Sequence, residues 1–308
     1  MNHIKPALIP AEIRELFVNY DPVDTWNKAN QIVQSINPNI DLTSVRNVFD
    51  DVMCLFGGSY PGYIPIQTPY HDLRHTLDVF ICAVRLLHGV HLSGTPLDDE
   101  EITLVMIAAL LHDIGYAQKV DEANGSGAQF TQVHVKRGIA FMERHLSDWN
   151  IPGKLAHPLT QIILCTDLHL NLSELNFSTP RIRLLGQIVG SADIVGQMAD
   201  RTYLEKLLFL FNEFKEANYG NLENSHDLLK KSRGFYESIR KTLDNDLGGI
   251  YQRLSFHFKD WIGEDKNFYI ESIEHNFKYL DKVIMQQESE WFSMLKRHGI
   301  VKVFQQIS

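Results

Sequence analysis

The chain has 308 residues, 44% hydrophobic and 22% charged, enough to bury a sizeable core without covalent staples. Its formal net charge of -9 and pI of about 5.8 exclude a broad electropositive surface for polymeric nucleic acid or anionic lipid. Three cysteines, Cys54, Cys82 and Cys165, sit far apart in apolar stretches, which fits a reducing compartment and excludes a zinc knuckle or disulfide framework.

The start, MNHIKPALIPAEIREL, lacks the basic and continuous apolar parts of a secretion signal. The longest apolar run, Ile102 to Leu111, is interrupted by Thr103 and too short to cross a bilayer. A cytoplasmic location without a membrane segment is therefore expected.

Apolar residues recur at helical spacing along most of the length, and few stretches alternate like a half-buried strand, so the expected fold class is all-α. Helices are expected over roughly 10–20, 22–36, 42–56, 70–90, 98–117, 130–147, 153–166, 180–200 and 203–218. Two more pairs are expected over roughly 225–260 and 267–297. Turn chemistry breaks the pattern at Gly57-Gly58 through Pro69, Ser93-Gly94-Thr95-Pro96, Asn124-Gly125-Ser126-Gly127 and Gly248-Gly249. Acidic residues in LSGTPLDDEE precede an apolar helix and suit the positive end of its dipole. No repeat, low-complexity tract or long linker divides the chain, so a single helical domain is expected over 1–308.

Three clusters carry chemistry. In PYHDLRHTLDV, a helix over the whole segment would place His71, His75 and Asp78 on one face, either as ligands or as an exposed polar stripe. In AALLHDIGY, an apolar helix ends in His112-Asp113 before Gly115. Neighbouring helical residues diverge by about 100°, so this pair can reach one ion only from a groove beside the helix end. An Asp buried there is costly unless it is paired or binds a metal; a cap or a salt bridge is the alternative. In GSADIVG, Asp193 stands alone among small residues of an apolar helix.

Taken in order, YHDLRHTLDV, LLHDIG and SADIV resemble the blocks of the HD-domain metal-dependent phosphohydrolases, and within them the catalytic domain of class I 3′,5′-cyclic nucleotide phosphodiesterases. The likeness covers about 66–200 and leaves about 201–308 as a helical extension. The resemblance implies a compact HD-type bundle in which His75, His112, Asp113 and Asp193 ligate a first metal. It also implies that Asp113 bridges to a second metal and that His71 protonates the leaving oxygen. One or two divalent ions, Zn, Fe, Mn or Mg, suit such imidazole, carboxylate and water donors.

Beyond these, His134 is placed like a further histidine that reaches the second metal or the phosphate, and Asp167, in ILCTDLH, like a pocket residue, with His169 a weaker candidate. Asp78 could orient a histidine or be a surface acid. Tyr116 occupies the position of the last histidine of the family's His-Asp-x-x-His, and Asp72 stands where Asn is usual. No late Gln-x-x-Phe block grips a purine, which leaves Gln197 as a positional candidate. His145, His157, His226, His257, His275 and His298 read as structural or exposed. Phe209, Phe211, Phe214, Phe235, Tyr236, Tyr251, Phe256 and Trp261 read as core.

The expected activity is hydrolysis of a phosphate ester or diester of a nucleotide, with cyclic nucleotides first, through a metal-activated water. A nucleotidase on the same scaffold, a non-catalytic nucleotide- or metal-sensing module and a purely structural bundle are the alternatives. The partner expected is a small-molecule phosphate ester, with no polymeric nucleic acid and no membrane, and a homodimer is left open.

Overall fold

The computed structural model describes residues 21–220 and 222–307, so the helix expected over 10–20 lies outside the described residues. The fold is all-α. Among the described residues, thirteen α-helices joined by short 3-10 turns and one π-helical turn make it up, and the only β pairing is an isolated bridge between Tyr63 and Lys119. None of the helices is long and apolar enough to cross a membrane.

The helices that build the site are α3 (Leu73–Leu92), α4 (Asp99–Leu111), α5 (His134–His145), α7 (Pro180–Ala199) and α8 (Tyr203–Glu216). Around them lie α1 (Pro22–Ile36), α2 (Thr43–Gly57), α6 (Ala156–Ile163) and α9 (Ser225–Lys241). The C-terminal part adds α10 (Leu254–Ile262), α11 (Phe268–Ile284), α12 (Glu288–Met294) and α13 (Ile300–Ile307), the last not expected from the sequence.

Local chemistry sets the starts. Asp98 and Glu101 form a reciprocal capping box on α4, satisfying two backbone donors that would otherwise be orphaned. Thr179 caps α7 just ahead of Pro180, whose fixed φ suits the first helical turn. Each such cap stabilises its helix by about 1 kcal/mol.

Helix α4 is apolar on every side from Leu104 to Leu111, and a helix of that kind belongs in the interior. It is enclosed by α2, α3, α6 and α7. Helix α3, buried continuously from His75 to Val90, lies along α7. Gly196 permits the close approach, because a Cβ there would come within 3.3 Å of the Asp78 carbonyl oxygen. This sets Asp193 beside His75. Buried apolar side chains from Ala29 to Phe304 join in one cluster.

Two boundaries differ from expectation in ways that matter for the site. Asp72 is extended, and its carboxylate accepts the His75 backbone N–H at 2.8 Å, so α3 begins at Leu73. His71 therefore stands outside the helix and shares no helical face with His75 and Asp78. The expected helix over 98–117 ends at Leu111, and the chain turns through His112 and Asp113 into a 3-10 turn, Ile114–Tyr116.

The aromatic residues expected in the core divide. Tyr236 and Tyr251 are buried, and Phe209 and Phe211 pack on the core's edge. Phe256 and Trp261 are 37% and 39% exposed. Phe214 and Phe235 line a cavity instead. Helical spacing puts residues on one face without saying whether that face meets protein or an open cleft.

Candidate metal centre

His75 from α3, His112 from the end of α4 and Asp193 from α7 offer ligand atoms close enough together to hold a metal ion. The His75 Nε2 lies 3.1 Å from the His112 Nε2, 3.1 Å from the Asp113 Oδ2 and 3.4 Å from the Asp193 Oδ1. The His112 Nε2 lies 3.2 Å from the Asp113 Oδ2 and 3.7 Å from the Asp193 Oδ1. Donors bound to one ion at about 2.0–2.3 Å, at tetrahedral or octahedral angles, stand roughly 2.8–3.8 Å apart. The observed spacing is close to that of a shared ion.

Hydrogen bonding at the far side of each ring sharpens the reading. The His112 Nδ1 faces the Ala109 carbonyl at 2.9 Å, and the His134 Nδ1 faces the Thr131 carbonyl at 2.7 Å. A carbonyl can only accept, so both Nδ1 atoms carry protons, and in the neutral rings both Nε2 atoms are lone pairs. The His134 Nε2 lies 3.3 Å from the Asp113 Oδ1, on the other oxygen from the one facing His75 and His112. Asp113 Oδ2 is buried and makes no hydrogen bond. Lone pairs set against carboxylate oxygens at these distances repel unless positive charge stands between them, and here that holds at both oxygens of Asp113.

In the absence of a metal, protons supply that charge. Burial lowers the His75 pKa, but Asp113 and Asp193 outweigh it and carry the value up to about 10. Burial likewise opposes the shifts at His112 and His134, and neighbouring carboxylates, Asp113 above all, push both upward. Burial raises the Asp113 carboxyl, yet His112, His71 and His134 together hold it well below the usual carboxylate range.

Gly115 fixes the position of His134. A Cβ on Gly115 would stand 1.8 Å from the His134 carbonyl oxygen, so only glycine lets the first turn of α5 dock on the turn after Asp113. Tyr116 then packs against two imidazoles, its ring 4.7 Å from His71 and 4.6 Å from His134 at interplanar angles of 20° and 12°, while those two rings stand 6.3 Å from each other. The residue standing where the resemblance places another histidine thus stacks on both.

His71 is held by a residue the sequence reading missed. Its Nδ1 lies 2.5 Å from the Glu213 Oε2, and the Glu213 Oε1 accepts the Tyr70 backbone N–H at 2.6 Å. Glu213, on α8, is 1% exposed. It shares a helical face with Phe209 and Leu210, four and three residues earlier, and that shared face was the available signal.

Two candidates serve differently from expectation. Asp78 faces Arg74, its Oδ2 3.7 Å from the Arg74 Nε, and the nearby His75 Nδ1 has no hydrogen-bond partner among the described residues. Gln197 lines the cavity with its amide engaged by protein groups. Its Oε1 accepts the Tyr70 hydroxyl at 2.5 Å, and its Nε2 donates to the Asp193 Oδ1 at 3.2 Å. It steadies the metal-facing carboxylate.

A cavity of about 400 Å3 opens from the cluster. His71, Asp113, Tyr116, His134 and Asp193 line its polar end, and Leu207, Leu210, Phe214 and Phe235 its apolar end. Asp167 is half-buried on the wall and accepts the His169 backbone N–H, while His169 is exposed.

Over residues 120–264 the chain is similar to a family described as Npun_R2479-like. That stretch includes His134, Asp167, Asp193, Gln197 and Glu213, and leaves out His71, His75, His112 and Asp113. No curated protein matches the chain.

Proposed function

We propose that the protein is a metal-dependent phosphohydrolase acting on a phosphate ester or diester of a nucleotide, with cyclic nucleotides first. The observation that carries this reading is Asp113, whose two oxygens face imidazole lone pairs from opposite sides at the polar end of a ligand-sized cavity. His75, His112, Asp113 and Asp193 would hold one divalent ion, and Asp113 with His134 would reach a second. Such ions supply the Lewis acidity that makes water nucleophilic near neutral pH and offset the charge on the phosphoryl oxygens. Glu213 ties down the Nδ1 of His71, which leaves the Nε2 to deliver a proton to the departing oxygen. The apolar end of the cavity takes the organic part of the substrate and excludes bulk water.

The test begins with metal uptake. Manganese titrated into metal-free protein at pH 7 in weak buffer should release protons, since His75 must surrender one to become a ligand. The loaded protein should then hydrolyse a generic aryl phosphodiester, and Asp113→Asn should abolish both events. A fully metallated protein that turns over no phosphate ester would overturn the reading in favour of a binding module.

A further inference from the structure

A second cavity, of about 220 Å3, uses the same turn as the metal cluster. Asp113 and Tyr116 line the first cavity, whereas Ile114, Gly115 and Ala117 line the second. Three cations border it, Lys119, Arg137 and Arg144, against a single carboxylate, Glu122. Arg137 already holds Glu122 at 3.0 Å, and also donates to the carbonyls of Gly115 at 3.0 Å and Ala117 at 2.9 Å. Its guanidinium lies 3.6 Å over the Phe130 ring. Once that pair is set aside, two positive charges remain. Lys119 and Arg144 are exposed, and neither forms an ion pair among the described residues.

In a chain of net charge -9, two unpaired cations converging on one concave surface form a local exception to the prevailing charge. The aromatic side chains of Tyr63 and Phe141, 5.6 Å apart edge to face, border the same cavity. Its volume is below the roughly 300–1,000 Å3 of drug-sized pockets, which suits a compact ligand. We propose that this cavity is a second binding site, for a small phosphate- or phosphonate-bearing anion carrying a flat apolar group. The anion would meet Lys119 and Arg144, and the flat group would pack on Tyr63, the partly exposed ring of the two, since Phe141 is buried. The proposal does not depend on the activity assigned to the first cavity. Arg137 grips the carbonyls on both sides of Tyr116, so an occupant here would bear directly on the turn whose ring packs against His71 and His134.

Calorimetric titration with phenylphosphonate, which carries no hydrolysable ester, tests it. Full-length Asp193→Asn protein should bind one equivalent outside the impaired metal centre, and Lys119→Ala/Arg144→Ala added to that background should weaken binding at least tenfold. Both lysine and arginine are exposed, so the variants should fold, as circular dichroism would verify. Benzene carrying no anionic group and chloride at matched ionic strength should not compete. No binding, binding unchanged by Lys119→Ala/Arg144→Ala, or full competition by chloride would each overturn the proposal.

Discussion

The Nδ1 of His71 lies 2.5 Å from a buried carboxylate oxygen, so one ring nitrogen is fixed and the other is left for chemistry. His71→Ala should lower kcat by about 10²–10⁴-fold, the usual contribution of a positioned proton donor, while metal content stays near that of the parent. Glu213→Gln should lower kcat less and also spare the metal. Loss of metal from His71→Ala, measured by elemental analysis, would reassign His71 as a ligand. The pairing explains why Glu213 was hard to read from sequence: glutamate on an amphipathic helix is normally solvated, and only the docking of α8 against the Tyr70-His71 segment buries it. His112, Asp113 and Asp193 were legible because each interrupts an apolar run, where a polar group needs a specific partner.

At the scale of elements, the caps and the apolar run of α4 could be read in advance because they depend on neighbours a few residues away. The start of α3 could not, since Asp72 reads equally well as a helical residue and as the cap it is. Contacts between helices were invisible. One of them joins α3 to α10, where the Nδ1 atoms of His88 and His257 meet at 2.9 Å, both side chains buried. Burial, with Arg85 and His88 adding to it, depresses His257 to about 2, and burial also lowers His88. A histidine whose folded pKa lies below its unfolded value of about 6.5 takes up its proton more readily when unfolded, so stability falls as pH drops below that value. The loss from His257 should reach up to about 1.4 kcal/mol per pH unit. Urea midpoints between pH 7 and pH 5 should fall more steeply for the parent than for His257→Gln; equal slopes would show that this contact does not sense acid.

Over the whole molecule, the sequence blocks marked out His75, His112 and Asp193, which stand close enough together to hold an ion, but the cavity beside them is built from α7, α8 and α9 together, and no linear motif records it. Its outer wall is apolar and aromatic, and the Gln197 amide is engaged by Tyr70 and Asp193. Cyclic AMP and cyclic GMP should therefore be hydrolysed with kcat/KM values within about a hundredfold of each other, a gap of less than roughly 2.7 kcal/mol in the transition state. A larger ratio would reveal a dedicated base pocket.

The candidate ligands and the Glu213 that anchors His71 are spread along the chain from His75 to Glu213, and that spread sets a schedule. A polypeptide made from its N-terminus exposes His75, His112, Asp113 and His134 before Asp193 has been synthesised, and Asp193 before Glu213. An ion that meets the unfinished chain finds donors without the helix that closes around it, and can leave again. Retention would begin once α7 has docked along α3, and His71 is oriented only after α8 follows. On the proposed reading, loading would thus be a late event in the life of each molecule, set by the order of translation.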